Sequence, residues 1–145
     1  MGKQLILQPQ GDMALWGNVK HFNQEKIDRF GCVSGGVGAI HLDPVFGREK
    51  TRYGNTLVQG YLLIGLITEL MKNNFGADWM RSGVMDAKLV GPVISGDSVV
   101  TGGTISAVEG LGDGTAKVTC NAWVKNAEGS PVVVADTNFI YSYNT

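Results

Sequence analysis

Apolar and polar positions alternate most cleanly in "TAKVTCNAWVK", residues 115–125. Val118, Cys120, Ala122 and Val124 fall on one side, and Lys117, Thr119, Asn121 and Lys125 on the other. A period of two predicts a strand with one face in a core. "SVVTGGTISAVE" precedes it across the glycine-rich turn "GLGDG", and "PVVVADTNFIYSYN" follows it across "NAEGS". Three long neighbouring strands joined by short turns predict an antiparallel meander. A further strand, "MRSGVMDAKLV", leads into the turn "GPVISGD". Near the other end, "LWGNVKHF", residues 15–22, offers a short strand with Leu15, Val19 and Phe22 apolar.

A different pattern governs "TLVQGYLLIGLITELMKNNFG", residues 56–76, where leucine, isoleucine and tyrosine occupy nearly every side. A helix that is apolar all round must be buried, so a core helix is expected over residues 57–74, with Gly76 as its C-cap. Gln59, Glu69 and Lys72 make it too short and too polar to span a membrane. Upstream, Asn23 suits the N-cap of a helix "QEKIDRFGCVS", with Glu25 at the positive end of its dipole. Ile27, Phe30 and Cys32 or Val33 give that helix an apolar side, and Gly35, Gly36 and Gly38 end it. Pro44 can open a short helical turn in "PVFGREKTRYGN". One long helix must then cover the apolar face of a sheet of about five strands. The expectation is an α+β fold forming one domain over residues 1–145.

Composition narrows the functional classes. At 145 residues with 43% hydrophobic and 17% charged, the chain can bury most of its apolar surface in one core. The formal net charge is -1 and no basic stripe occurs, so nucleic acid and anionic membrane are not expected partners. The opening "MGKQLILQPQGD" has an apolar run too short for a secretory signal core. Two cysteines, Cys32 and Cys120, are too few for a disulfide scaffold. A cytoplasmic location with both thiols reduced is expected. His21 and His41, the two histidines, lie apart without supporting cysteines, so no metal site is expected.

Candidate chemistry concentrates in "GGVGAIHLDP", residues 35–44, where a glycine-rich run ends in His41, Leu42 and Asp43. The longer stretch "SGGVGAIHLDPVFGREKTRYGNTLVQGYLLIGLITELM" resembles the signature of the MaoC-like (R)-specific enoyl-CoA hydratases and dehydratases. That signature runs Ser-Gly-Asp-x-Asn-Pro-x-His-x-Asp-Pro, then a dozen or so residues, then His-Gly-Met and an apolar helix. "GPVISGDSV" is similar to the family's Pro-Val-x-x-Gly-Asp turn. The likeness covers the chain from about residue 15 onwards, without a gap in the histidine loop. It implies a hotdog fold, in which an antiparallel sheet wraps one central helix.

The resemblance also implies an activity, the reversible addition of water to a 2-enoyl thioester. Coenzyme A or a carrier protein would enter as part of the substrate, with no separate cofactor. His41 takes the place of the family's histidine, and Asp43, Pro44 and Gly60 are kept. The family's aspartate is Gly36 here, its asparagine Gly38, its proline Ala39, and its His-Gly pair Gln59-Gly60. His41 has the chemistry of a general base, since imidazole exchanges protons near neutrality. Gly60, opening the core helix, is the expected backbone donor to the thioester oxygen. These two are the candidate catalytic residues.

Gly36, Asp43, Asn55 and Gln59 are the candidate substrate-binding residues. Asp43 either caps the turn begun by Pro44, orients His41, or stands in for the missing acid. Ser34 is a second stand-in or a helix-end residue. His21 is a surface strand residue. Lys20, Arg48, Lys50 and Arg52 lie near enough in sequence to meet the phosphates of coenzyme A.

The glycine at 36 leaves three readings. One is an active hydratase or dehydratase with an altered site. Another is a degenerate acyl-CoA-binding subunit of a heteromer, whose paralogous hotdog partner keeps both residues. The third is a thioesterase, for which Glu69 is the available carboxylate, set deep in the core helix. A homodimer or higher oligomer, with sheets joined edge to edge, is expected in any case.

Overall fold

The computed structural model describes residues 13–143; the opening stretch weighed above as a signal core lies outside them, as does Asn144 of the last expected strand. In chain order the elements are β1 (Met13–Ala14), β2 (Val19–His21), α1 (Gln24–Ser34), α2 (Ala39–Leu42), α3 (Pro44–Lys50), α4 (Gly60–Phe75), α5 (Ala77–Ser82), β3 (Val84–Leu89), β4 (Ser98–Gly110), β5 (Thr115–Asn126) and β6 (Pro131–Ser142). The strands form one six-stranded sheet in the order β1-β4-β5-β6-β3, with β2 also on β4. Every pairing is antiparallel.

The long meander follows the alternation in the sequence. On β5 the side chains of Ala116, Val118, Cys120, Ala122 and Val124 are buried, while Lys117 and Asn121 are exposed. On β6 the register to β5 shifts between Val124 and Lys125, and both Val132 and Val133 are buried there. A bulge of this kind carries one extra residue and lets two successive side chains turn inward. Beyond it, Ala135, Thr137, Phe139 and Tyr141 alternate into the core.

Helix α4 packs across this apolar face through Leu63, Leu66, Ile67, Leu70, Met71 and Phe75. The spacing is that of one helical stripe, not of a helix buried on all sides. Tyr61, on the opposite side, is 82% exposed. The helix also starts later than expected from its apolar run. Leu57 forms a bridge with Ile94 and the Val58 amide donates to the Val93 carbonyl, which keeps residues 57–58 extended. After Gly76, which has φ 61, the chain turns into α5, an element the sequence pattern did not announce. Its buried Trp79 meets Phe139 edge-on at 6.3 Å, and Phe139 also packs on Phe75 at 4.5 Å.

Of the strand expected over 15–22 only β2, Val19–His21, forms, while β1 lies just before that range. Leu15 and Phe22 are both buried. Seven residues apart, they would face opposite sides of an unbroken strand. The break at Gly17 resolves the conflict. A Cβ there would lie 1.6 Å from the Thr101 carbonyl oxygen, so no other residue fits without displacing β4. Val19, although apolar, is 72% exposed.

Candidate active site

The end of α1 and the glycine loop are shaped by their own backbone. Gly35 takes the left-handed conformation, φ 77, and its amide donates to the Gly31 carbonyl as a helix C-cap. The Ser34 hydroxyl donates to the Phe30 carbonyl at 2.7 Å and accepts from the Gly36 amide at 3.2 Å. Ser34 is therefore the helix-end residue, with its hydroxyl committed. Four residues separate it from the single turn α2, which carries His41.

Four bonds tie that turn to the segment leading into α4. Leu57 N–H donates to the Ile40 carbonyl at 3.0 Å. Gln24 Nε2 donates to the His41 carbonyl at 2.8 Å, while Gln24 Oε1 accepts from the Thr56 hydroxyl at 2.5 Å. His41 Nδ1 lies 2.8 Å from the Leu57 carbonyl. A carbonyl only accepts, so Nδ1 carries the proton and Nε2 is left with its lone pair.

Gln59, the N-cap residue of α4, is 3% exposed. Its Nε2 donates to the Ile27 carbonyl at 2.9 Å and to the Gly36 carbonyl at 3.3 Å. Gly60 then opens the helix. The amides of Leu62 and Leu63 turn back to the Gln59 carbonyl, leaving those of Gly60 and Tyr61 in the first turn, where no intrahelical acceptor exists. A Cβ at Gly60 would meet Leu89 Cδ1 at 2.5 Å, so the glycine keeps β3 close to the helix start.

These groups surround one cavity of about 610 Å³. Gly36, His41, Gln59 and Gly60, four of the six candidate residues, line it together. Phe30, Tyr61, Ile64 and Leu89 supply its apolar wall, and among the described residues no carboxylate lines it. Asp43 and Asn55 do not line it. The Asp43 carboxylate caps α3 by accepting from the Val45 and Phe46 amides at 2.9 and 3.1 Å. Asn55 is tied at both ends of its amide, donating to the Ser95 carbonyl and accepting from the Thr56 amide. Leu89 and Tyr61 had not been singled out. Leu89 reaches the cavity only through the register of β3 on β6, which no local pattern encodes.

The remaining charged candidates are mostly engaged elsewhere. Glu69 is not deep: its side chain is partly exposed and pairs with Lys20 at 2.7 Å. Arg52 lies on the Tyr53 ring and bonds its hydroxyl, and Arg48 sits 3.9 Å from Glu49. His21, at the surface, shares a 3.0 Å contact with the Ser98 hydroxyl. Among the described residues no group of histidine, cysteine or acidic side chains could hold a metal ion, and no helix is long and apolar enough to cross a membrane.

Comparison with known proteins decides the family. The model of the MaoC like domain matches residues 9–127. The chain belongs to the MaoC like domain family. Among curated relatives, 3-hydroxyacyl-thioester dehydratase Z of Mycobacterium tuberculosis is 27% identical over 120 residues, covering 79% of this chain and 78% of its own. The solved structure of the (R)-hydratase from A. caviae involved in PHA biosynthesis superposes with a TM-score of 0.73 at 19% identity, covering 92% of this chain and 97% of that one. The HadBC (3R-hydroxyacyl-ACP dehydratase) complex from Mycobacterium tuberculosis superposes with a TM-score of 0.68 at 14% identity, over 90% and 96% of the two chains. At such identities the structural likeness is one of fold, and the fold of this MaoC-like chain is the hotdog fold expected from its sequence.

Proposed function

We propose that the chain adds water reversibly across the C2–C3 double bond of a 2-enoyl thioester, with coenzyme A or a carrier protein as the thiol portion. The observation that carries this reading is one cavity holding a histidine with Nε2 free and the first turn of a long helix. His41 Nε2 takes a proton from water as the water oxygen bonds to C3. The π electrons move through C2 to the thioester oxygen, and the resulting enolate charge meets the Gly60 amide at the positive end of α4. His41 then returns the proton to C2, the enolate collapses, and the product carries hydrogen at C2 and hydroxyl at C3.

The thioesterase reading loses the carboxylate it was built on, because Glu69 is paired with Lys20 and does not line the cavity. The heteromeric reading keeps its support, the lack of any carboxylate on the cavity wall among the described residues. A family neighbour, HadBC, is itself a complex. In either case we propose an oligomer joined along β3. Among the described residues that strand pairs only with β6, on one side, and it leaves Val84 and Leu89 exposed, Leu89 on the cavity wall. We place the protein in the cytoplasm on the same reading.

The test is an assay of the purified chain against a panel of trans-2-enoyl-CoAs, followed by loss of the conjugated thioester absorbance. It is repeated with whatever hotdog protein co-purifies. Hydration by the chain alone is the expected result. Hydration only with the partner selects the heteromeric reading, and no hydration in either case refutes the proposal.

A further inference from the structure

Gln59 is the buried polar residue of the cavity wall that the steps above leave without a task. Its amide ends are assigned by chemistry. Both the Ile27 and the Gly36 carbonyls can only accept, so the group facing them at 2.9 and 3.3 Å is the nitrogen. Oε1 is therefore the other end, and it is buried with no hydrogen-bond partner among the described residues. A buried acceptor left unmatched is costly unless something supplies a donor. The carboxamide is planar, so Nε2, held by its two carbonyl partners, fixes where Oε1 lies, and an arriving hydroxyl meets it there.

Gly36 explains why the glutamine lies here. Its backbone has no positive φ, unlike that of Gly35, so the glycine is not required by conformation. What it supplies is space. A Cβ at 36 would lie 3.3 Å from Gln59 Cγ and 3.2 Å from the Ser34 hydroxyl. The stem of Gln59 passes close beside the place where a side chain at 36 would begin.

We propose that Gln59 Oε1 accepts a hydrogen bond from the attacking water and, in the reverse direction, from the 3-hydroxyl of the hydrated thioester. The proposal rests on the hydration reading for the identity of the ligand. Water then has one hydrogen directed to His41 Nε2, the other to Gln59 Oε1, and a lone pair free for C3. A carboxamide exchanges no proton in this range, so the two residues divide the work: His41 moves the proton and Gln59 aims the oxygen.

The experiment measures binding, in a His41→Ala background so that the ligand is not turned over. Matched pairs are titrated by calorimetry: 3-hydroxybutanoyl-CoA against butanoyl-CoA, and 3-hydroxyoctanoyl-CoA against octanoyl-CoA. The hydroxylated member should bind about fivefold tighter, the size of one net hydrogen bond. Gln59→Met, similar in length and apolar, should erase that preference while leaving the saturated ligand within about twofold of its former affinity. Should Gln59→Met fail to fold, Gly36→Ala serves instead, since its methyl group pushes on Gln59 Cγ, and it should reduce the preference. A preference that survives these variants, or no preference at all, overturns the proposal. Failure of both ligands to bind overturns it together with the hydration reading. A Gln59-dependent preference in a chain that hydrates nothing, even with a co-purified partner, sinks only the hydration reading.

Discussion

His41 is the residue on which the proposed reaction turns, and its surroundings allow its two roles to be measured apart. In His41→Ala the chain keeps the bonds that hold α2, because those use backbone: His41 N–H to the Gly38 carbonyl, Leu57 N–H to the Ile40 carbonyl, and Gln24 Nε2 to the carbonyl of residue 41. What is lost structurally is the 2.8 Å bond to the Leu57 carbonyl and the packing of a half-buried ring. One net hydrogen bond contributes about 1 kcal/mol, which for a chain of this size lowers the melting temperature by roughly 3–5 °C. What is lost catalytically is the base. Removing a general base lowers turnover by roughly two to four orders of magnitude, or about 3–5 kcal/mol in the barrier.

The two effects are read by different instruments. Thermal unfolding followed by circular dichroism gives the first. Steady-state hydration of the best enoyl-CoA gives the second, with kcat falling and KM nearly unchanged because the Gly60 amide and the cavity remain. His41→Asn adds a control: its side-chain amide can still donate to Leu57 but cannot serve as a base. It should melt near the parent and be as slow as the alanine variant. Turnover within about threefold of the parent in both variants would refute the assignment of His41 as the base. So would a recovery of turnover in His41→Asn, which would make the residue a structural strut.

Phe139→Ala empties a fully buried site between Phe75 and Trp79; it should cost about 3–5 kcal/mol and lower the melting temperature by roughly 10–15 °C, and a shift under about 4 °C would contradict the packing. Cys32 is exposed and Cys120 buried, so a thiol reagent should modify Cys32 quickly and Cys120 only on unfolding. Burial pushes the Cys120 thiol from 9.0 up to about 12. The unfolded thiol then ionises first, so this contribution to stability is intact below pH 9 and is lost as pH rises towards 12. Cys120→Ala should accordingly lose less melting temperature over that interval than the parent; an equal loss refutes the point. Gly36→Asp alone should impair the site, because its Cβ would crowd Gln59 Cγ at 3.3 Å; pairing it with Gln59→Ser should recover part of the loss, and a faster single variant would contradict the steric argument.

Much of the fold was legible because the residues that form it repeat. The alternation of β5 and the apolar stripe of α4 each persist over ten or more positions, long enough for periodicity to identify them. Shorter elements were legible only in part: β3 and the helix opened by Pro44 were expected, others were not. Residues 15–22 read as one strand because Leu15 and Phe22 are both apolar, and nothing local reveals that Gly17 abuts the Thr101 carbonyl. Helix α5 has six residues, and Trp79 is buried by Phe139, sixty positions away. The histidine loop was legible as spacing, and its four cavity residues do converge. Asp43 and Asn55 illustrate the limit: each has the polarity of a ligand contact, yet the backbone amides and carbonyls beside them take their hydrogen bonds. Polar residues in loops meet such local competition first.

Gly36 and Gln59 gain meaning only as a pair. Read singly, a glycine in place of an acid is a deletion, and a glutamine before a helix is a neutral change. The structure joins them, since the stem of one passes close beside the place where the side chain of the other would begin. Two consequences follow from the chemistry. Among the described residues no carboxylate lines the wall, so in the proposed reaction the proton taken from water is assigned to His41. A buried carboxamide also costs far less to desolvate than an ionised carboxylate, so the cavity tolerates a larger apolar surround, which Phe30, Ile64 and Leu89 provide. On the proposed hydration, the residues at 36 and 59 therefore serve orientation, and proton transfer is assigned to a single imidazole whose Nδ1 faces the Leu57 carbonyl.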